Sequence, residues 1–445
     1  MKRKLFAASC IVTVCICGHV SAESKNVTLD DCIKIAMDNH PDIMVSAEEQ
    51  NKAVAGYTAA KSLNKMNIYG EAKTVEYLKP KSSTSTFNVP GKDTSIGLFA
   101  GATVSYSLYD ATKSRKENLA RMNIDLSRMN DIKVRSGIML NVKTTYYAYA
   151  FARENTRLKE ELKNQYQIKL EKTQMFLKNG QRPVIDVTKA EVDLASAVLE
   201  YEKAKNQENM AKAELLSALG IFDEDIEISP QAVSELPKVR YSLAELYTLA
   251  EHNSPDIRIT RLTREIQKVN IDVEKAARNL SVDVIAAFGL ENKNMTGQSA
   301  EENMKSENWK PTFHAGFQAR FPIYTAGGIT AKINAATADY NKSVYNEKKI
   351  LINIKSMIRT YLQGMRELSK QLELSTLMRK NAENHLTLAR KSYEMGIGTQ
   401  LALQDAETAR IDAELFYQKA RYDYLLTLSK LSGTIGLGEE YLCEK

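Results

Sequence analysis

The chain has 445 residues, a formal charge of +6, 43% hydrophobic residues and 26% charged residues. That length allows two or three ordinary domains, and that balance excludes both a disordered chain and a bundle of membrane helices. The charge is small for the length and no basic block is present, so no nucleic-acid partner is expected.

Residues 1–22 stand apart. Lys2, Arg3 and Lys4 precede an apolar run from Leu5 to Cys17, and Val20-Ser21-Ala22 closes it with small residues. This pattern reads as a secretory signal peptide, because the run is too short to cross a bilayer. Its removal lowers the formal charge to +3 and leaves two cysteines, Cys32 and Cys443. Export permits a disulfide, but sequence does not show whether these two thiols meet. No remaining stretch is continuously apolar over the length of a membrane helix, which leaves a secreted, periplasmic or strand-inserted protein.

The mature chain states one phrase twice. Asn39-His40-Pro41-Asp42-Ile43 returns in the second half as Asn253-Ser254-Pro255-Asp256-Ile257. Other landmarks follow at nearly the same offset: residues 28–39 with 242–253, Ser107–Asp110 with Pro322–Thr325, Leu177–Glu191 with Tyr393–Glu407, and Ala218–Gly220 with Leu431–Gly433. This is an internal tandem duplication. Repeat 1 is expected over 23–220 and repeat 2 over 241–434. A connector lies between them at 221–240, and a tail follows at 435–445.

Each repeat has one internal order. A short amphipathic helix ends before a proline, and Pro41 or Pro255 opens the next helix at its first position. Asp42 and Asp256 then suit the positive helix N-terminus, so the repeated phrase is helix punctuation. Strands are expected at about 67–77 and 95–108, and at about 281–291 and 312–324. Ile96 to Leu108 and Phe313 to Ile323 alternate apolar and polar residues for the length of a tilted membrane strand, whereas 67–77 alternates poorly. Helical hairpins follow at 110–219 and 326–432. Asp110–Leu177 lacks proline, and a helix of that length reaches about 100 Å. The returning helices carry small-residue stripes: Ala190, Leu194, Ala197, Tyr201 and Ala204, then Ala402, Ala406, Ala409, Ala413 and Ala420.

Four strands cannot close a barrel alone. Two chains give eight strands, whose interior fills with side chains, and three give twelve, which leave a lumen. The expected fold is an α+β membrane protein: a trimeric 12-stranded β-barrel, four strands per chain, continued by a long α-helical coiled-coil barrel. The β-barrel would sit in the outer membrane and the helices in the periplasm.

At this point the chain resembles the TolC-like outer-membrane efflux proteins over nearly all of its mature length. The resemblance rests on Asn39-His40-Pro41 and Asn253-Ser254-Pro255, on Phe321-Pro322-Ile323-Tyr324 with Gly327-Gly328, and on Gly396–Thr399 leading to Asp405-Ala406. It implies a homotrimeric exit duct of a tripartite efflux pump or a type I secretion system. Such a duct works with a periplasmic adaptor (membrane fusion) protein and an inner-membrane transporter, and contacts outer-membrane lipid. It also implies that the turns at Lys178–Asp186 and Glu394–Asp405 form the periplasmic tip, with Gly180, Asp186, Gly396, Gly398 and Thr399 as adaptor-docking candidates. Family members often carry two aspartates three residues apart after the second turn. Here Ala402 holds the first position and Asp405 the second, while repeat 1 has Asp186 and Lys189. The resemblance therefore implies one acidic gate ring, from Asp405; the bland alternative is a solvated helix residue. The family's latching tyrosine and arginine are not matched, since Met395 and Gln400 fall there.

The residues that would mark an enzyme are scattered: His40, His252, His314 and His385 form no metal spacing, and no nucleophile elbow or phosphate loop is present. No catalysis, cofactor or metal is expected. A periplasmic coiled-coil adaptor or tether without a pore is the alternative. It explains the helices and alanine seams but not two strand pairs at equivalent places.

Overall fold

A computed structural model describes residues 27–78, 94–221, 236–292, 305–395 and 397–443. The expected signal peptide, most of the connector and of the two inter-strand loops, and Gly396 lie outside the described residues. The elements run α1 (Leu29–Asn39), α2 (Pro41–Ser62), β1 (Asn67–Leu78), β2 (Thr94–Asp110), α3 (Ala111–Lys178) and α4 (Val184–Leu219). Repeat 2 follows with α5 (Leu243–Asn253), α6 (Pro255–Ala276), β3 (Ser281–Asn292), β4 (Lys310–Arg320), α7 (Gly328–Glu394) and α8 (Gln400–Ile435), then a short α9 (Glu439–Leu442). No described helix is long and apolar enough to cross a membrane.

The chain divides into two compact units. Among the described residues, one comprises 27–39 and 142–221; the other comprises those of 40–141 and 236–443. In the first, α1 buries Cys32 and Ala36, and the second part of α3 forms a hairpin with α4. The seam of α4 is made by Ala190, Ala197 and Ala204, all buried at heptad spacing. Lys169 pairs with Asp193 at 2.8 Å, and the Lys163 ammonium lies 4.0 Å from the centre of the Tyr201 ring. Both contacts tie α3 to α4.

In the second unit, α7 and α8 form the equivalent hairpin. Its seam uses Ala406, Ala413 and Ala420, again at heptad spacing and each the counterpart of a repeat 1 seam alanine. A strict heptad of small residues winds two helices closely around each other. Ala402 and Ala409, expected in the stripe, are exposed instead. They stand four residues before and three residues after Ala406, and α7 does not cover them. Arg379 stacks 4.4 Å from the Tyr417 ring and reaches Glu414 at 3.7 Å. Arg379 and Tyr417 occupy the repeat 2 positions of Lys163 and Tyr201, so the cation–π contact is duplicated with the fold. Towards its end α8 changes character and buries Leu425, Leu428, Leu431 and Ile435. These last three join Leu246, Ile257, Ile354, Ile358, Met365 and Leu442 in one core. Each fully buried Leu or Ile there contributes roughly 1.5–3 kcal/mol.

Two expected boundaries move. The Ala218–Gly220 phrase does not match Leu431–Gly433. Gly220 and Gly436 are the left-handed caps that end two helices of equal length, α4 and α8, whereas Gly433 lies inside α8. The helix ends therefore keep the same offset as the alanine seams. The expected tail is also ordered: α9 packs Leu442 into the core, and Val239 pairs with Cys443. Both thiols are free and buried. Burial, helped by Asp31, pushes Cys32 up to about 12; burial and then Glu439 push Cys443 up to about 11. Cys32 stands where repeat 2 has buried Leu246, so it acts as a small hydrophobe.

The sheet lies in the second unit. Its order is β1-β2-β3-β4, antiparallel throughout. Each hairpin belongs to one repeat, and the β2–β3 pairing joins the two. The expected strand at 312–324 stops at Arg320. Pro322 has no N–H to offer a ladder, and Ile323 is 90% exposed in a bend. Residues 67–78 form a full strand despite poor alternation, because β2 pairs with them along their whole length.

In the same unit each long helix carries one acid that binds its short neighbour. Asp131 accepts from Ser46 of α2 at 2.9 Å and from Arg135 at 2.9 Å. Glu347, its repeat 2 counterpart, accepts from Arg264 of α6 at 2.7 Å and Arg261 at 3.4 Å. Burial pushes the Asp131 carboxyl up, but hydrogen bonds from Arg135 and Ser46, the Arg135 charge and Gln50 outweigh it and hold the group below its usual range. A carboxyl depressed on folding stabilises fully above its unfolded value, and that stability is lost as pH falls through the folded value. The stability gap between wild type and Asp131→Asn should therefore be about 1–2 kcal/mol at pH 7 and close in acid below roughly pH 4. Denaturant midpoints at stepped pH check this; a gap unchanged well below that pH contradicts it.

Candidate functional site

Two places can act on a solute: the sheet and the helix turns. The sheet registers sort its side chains into two faces. Ile68, Ala72, Ala102, Val104, Ala286, Phe288, Ala315 and Phe317 lie on one. Glu71, Lys73, Thr103, Asp283, Glu291, Thr312, His314, Gln318 and Arg320 lie on the other. The apolar face is largely exposed, with Phe313 and Phe317 prominent, an alternation also found in membrane β-barrel strands. Exposed Tyr106 and Tyr109 near the helix end, and half-buried Trp309 at the loop end, match the aromatic girdles of such strands.

The polar face is built in cross-strand rows. Lys73, Phe99, Glu291 and Lys310 form one row, and Glu71, Gly101, Gly289 and Thr312 the next. Thr103 donates to Glu71 at 2.8 Å, Lys73 pairs with Glu71 at 3.6 Å, and the Lys73 ammonium lies 5.1 Å from the Phe99 ring centre. Phe99 is buried, and its ring reaches over Gly101, with Cζ 2.8 Å from where a Cβ would stand. Sequence reasoning missed this cluster; two glycines inside alternating strands were the available signal.

The first turn, in the unit containing α4, closes with paired backbone bonds. Gln181 N–H donates to Phe176 O at 2.8 Å and Gly180 N–H to Leu177 O at 2.9 Å, with Gly180 at φ +70°. That is a helix ending that favours glycine. Asp186 is tied to Arg182 at 3.2 Å. Met175, Val184 and Ile185 are exposed around it.

The second turn, in the other unit, is built differently. Ile397 and Gly398 N–H both donate to Ser392 O, at 3.1 and 2.9 Å. A side chain at Gly398 would start 2.9 Å from Tyr393 N, so the close approach requires glycine. Thr399 caps α8 by accepting from Ala402 N–H at 3.2 Å. Asp405 lies in the second turn of α8, exposed, with no hydrogen bond or ion pair among the described residues. The next residue, Ala406, is fully buried in the seam, which fixes the face on which Asp405 stands. Met395, Ile397 and Leu401 are exposed beside it.

A family model described as "Outer membrane efflux protein" matches residues 32–221 and 246–437, once per repeat. The chain belongs to the outer membrane efflux protein family. Relatives include the alkaline protease secretion protein AprF of Pseudomonas aeruginosa, 24% identical over 72% of this chain and 66% of its own. The outer membrane protein TolC of Vibrio cholerae is 19% identical over 94% and 93%. The CmeC outer membrane channel of Campylobacter jejuni superposes with a TM-score of 0.75 over 92% of this chain and 85% of its own, at 17% identity. This outer membrane efflux protein is thus an exit duct, with strands in the outer membrane and helices in the periplasm.

Proposed function

We propose that three copies close a 12-stranded barrel and serve as the passive duct of a tripartite efflux pump or a type I secretion system, without a catalytic step of their own. A periplasmic adaptor and an inner-membrane transporter would complete the assembly. The sheet carries the reading: four antiparallel strands, apolar on one face and polar on the other, with β1 and β4 left as open edges. An open edge in lipid leaves backbone groups unpaired at several kcal/mol each, so the edges must meet other copies. The apolar side chains at the two turns, Ile185 and Ile397 foremost, suit docking of adaptor helices. Asp405 is the gate residue in this reading. Three partnerless carboxylates around a narrow opening repel one another and favour a bound cation.

The test is planar-bilayer conductance with mass in detergent. Discrete steps from a trimer are expected, with Asp405→Asn weakening block by Mg²⁺ on the periplasmic side on the order of tenfold, which is about 1.4 kcal/mol. Unchanged block would remove Asp405 from the gate. A water-soluble, non-conducting protein would replace the duct with the pore-free adaptor or tether.

A further inference from the structure

The four joints between strands and helices, at 63–66, 110–111, 277–280 and 321–327, lie in the second unit and at one end of the sheet. The sheet ends there among exposed large apolar side chains, Met66, Tyr109, Phe321 and Tyr324. Beside them the free charge is one-sided. Lys61 and Lys65 flank the end of α2, Lys113 and Lys116 lie in the first two turns of α3, Arg278 follows α6, and Lys332 lies in the first two turns of α7. All are exposed or half-buried, and none makes an ion pair among the described residues. Arg278 donates to Thr330 Oγ1 at 3.2 Å. Two acids of this band are already engaged. Asp110 accepts from Thr112 N–H at 2.8 Å and from its hydroxyl at 2.7 Å, and Glu117 accepts from Asn64 at 2.8 Å and Tyr57 at 3.4 Å. Asp272 and Glu274 remain on the last turns of α6, where Lys275 offsets one of them.

We infer that this basic band binds anionic phospholipid headgroups of the periplasmic leaflet and so holds the protein at a fixed depth in the outer membrane. The inference rests on the duct proposed above. Strands β1 and β3 have 12 residues each. A tilted strand needs about 9–11 to cross the hydrocarbon, so their helix-side ends mark its boundary. The polar layer beyond that boundary is about 5–8 Å deep on each side. At 1.5 Å per residue, Lys113 and Lys116 stand about 5–9 Å below the start of α3, at the level of the phosphates.

The chemistry matches the place. A lysine stem can lie along the exposed apolar side chains while its ammonium reaches a phosphate. A headgroup with net negative charge is favoured, because a zwitterionic one brings its own cation. Further along the same helices the basic residues find protein acids instead. Arg128 pairs with Asp125 at 3.5 Å, Arg135 with Asp131 at 2.9 Å, and Lys133 with Asp256 at 2.6 Å. Cations left free beside the sheet, and paired further from it, indicate that the missing anions belong to the lipid.

The test uses the full protein reconstituted in phosphatidylcholine vesicles with a minority of phosphatidylglycerol, and counts the lipid kept on gentle extraction by mass spectrometry. Wild type should hold phosphatidylglycerol several-fold above its bulk share at low salt, and less as salt rises. Combining Lys113→Gln, Lys116→Gln and Lys332→Gln should bring it down to the bulk share, whereas arginine at the same three positions should keep it. Combining Lys342→Gln, Lys370→Gln and Lys380→Gln removes the same charge from exposed positions further along α7 and should change nothing. Bilayer conductance of each variant shows that the duct is intact; should the first variant fail to assemble, Lys61→Gln with Lys65→Gln reads the same band. Enrichment that survives loss of the band, or that falls equally in the Lys342 variant, would overturn the inference. A conducting wild-type trimer with no excess phosphatidylglycerol would also overturn it and leave the duct standing. A wild type that never conducts would overturn the duct itself.

Discussion

Gly289→Val is expected to abolish the assembled channel. At Gly289 a side chain would begin 2.5 Å from Ala100 O and 2.6 Å from Gly101 Cα, both backbone atoms of the paired strand. Backbone cannot step aside as a side chain can, so β2 and β3 must separate. Overpacking of this kind costs typically about 1–3 kcal/mol, and more where a ladder breaks. The loss falls on the pairing that joins the two repeats, and three copies multiply it. Phe99, whose ring lies over Gly101, must also shift when the two strands part. Gly137→Val is the control. It lies in α3, away from both edge strands, with nothing within 4 Å of a new Cβ. Trimer yield in membranes should fall to background for Gly289→Val and stay near wild type for Gly137→Val. Equal yields would mean that the strands can reposition around a side chain.

The second large effect is expected at Glu347. Its side chain is 11% exposed and holds Arg261 and Arg264 against α7, while Arg261 also donates to Glu251 O at the end of α5. Glu347→Ala removes the carboxylate that bridges the two guanidiniums and leaves Arg264 only its pair with Glu265 at 2.9 Å. Removing one partner of a buried pair costs about 3–5 kcal/mol; the arginines are a third exposed or more, so solvent screening brings this to roughly 2 kcal/mol. Glu49→Ala, which removes the surface pair with Lys52, should cost under about 0.5 kcal/mol. Denaturant midpoints in detergent compare them. A Glu347→Ala midpoint matching Glu49→Ala would show that the network contributes nothing net.

The duplication was legible because its punctuation is chemical: Pro41 and Pro255 open helices, and alternation marks strands. Misreadings arose where one residue type serves two local roles. Gly433 looks like a helix cap by its neighbours, yet only Gly436 has the left-handed backbone that ends α8. Phe321 and Ile323 continue the alternation beyond Arg320, but a missing N–H at Pro322 outweighs pattern. Strand β1 was poorly marked because its polar face carries Glu71 and Lys73 while its apolar face is thinned to Gly70 and Ala72. Asp405 and the turn residues were named from resemblance, and nothing in their own pattern set them apart. The paired glycines and the acids that brace the short helices depend on contacts between distant segments, which no single window of sequence shows.

The seam of α8 also grades along its length. Near the turn its buried positions are mainly alanines, each a single methyl, with Ile411 the one large side chain, whereas its far end buries several leucines and an isoleucine. A methyl removed from water is worth about 0.8 kcal/mol, against up to about 3 kcal/mol for a whole leucine side chain. The free energy of local opening therefore rises from the turn towards Ile435. Backbone amides should exchange with solvent in that order, turn first. Thermal fluctuation can part the alanine end repeatedly without reaching the leucines, so the molecule can loosen at its mouth while its body stays folded.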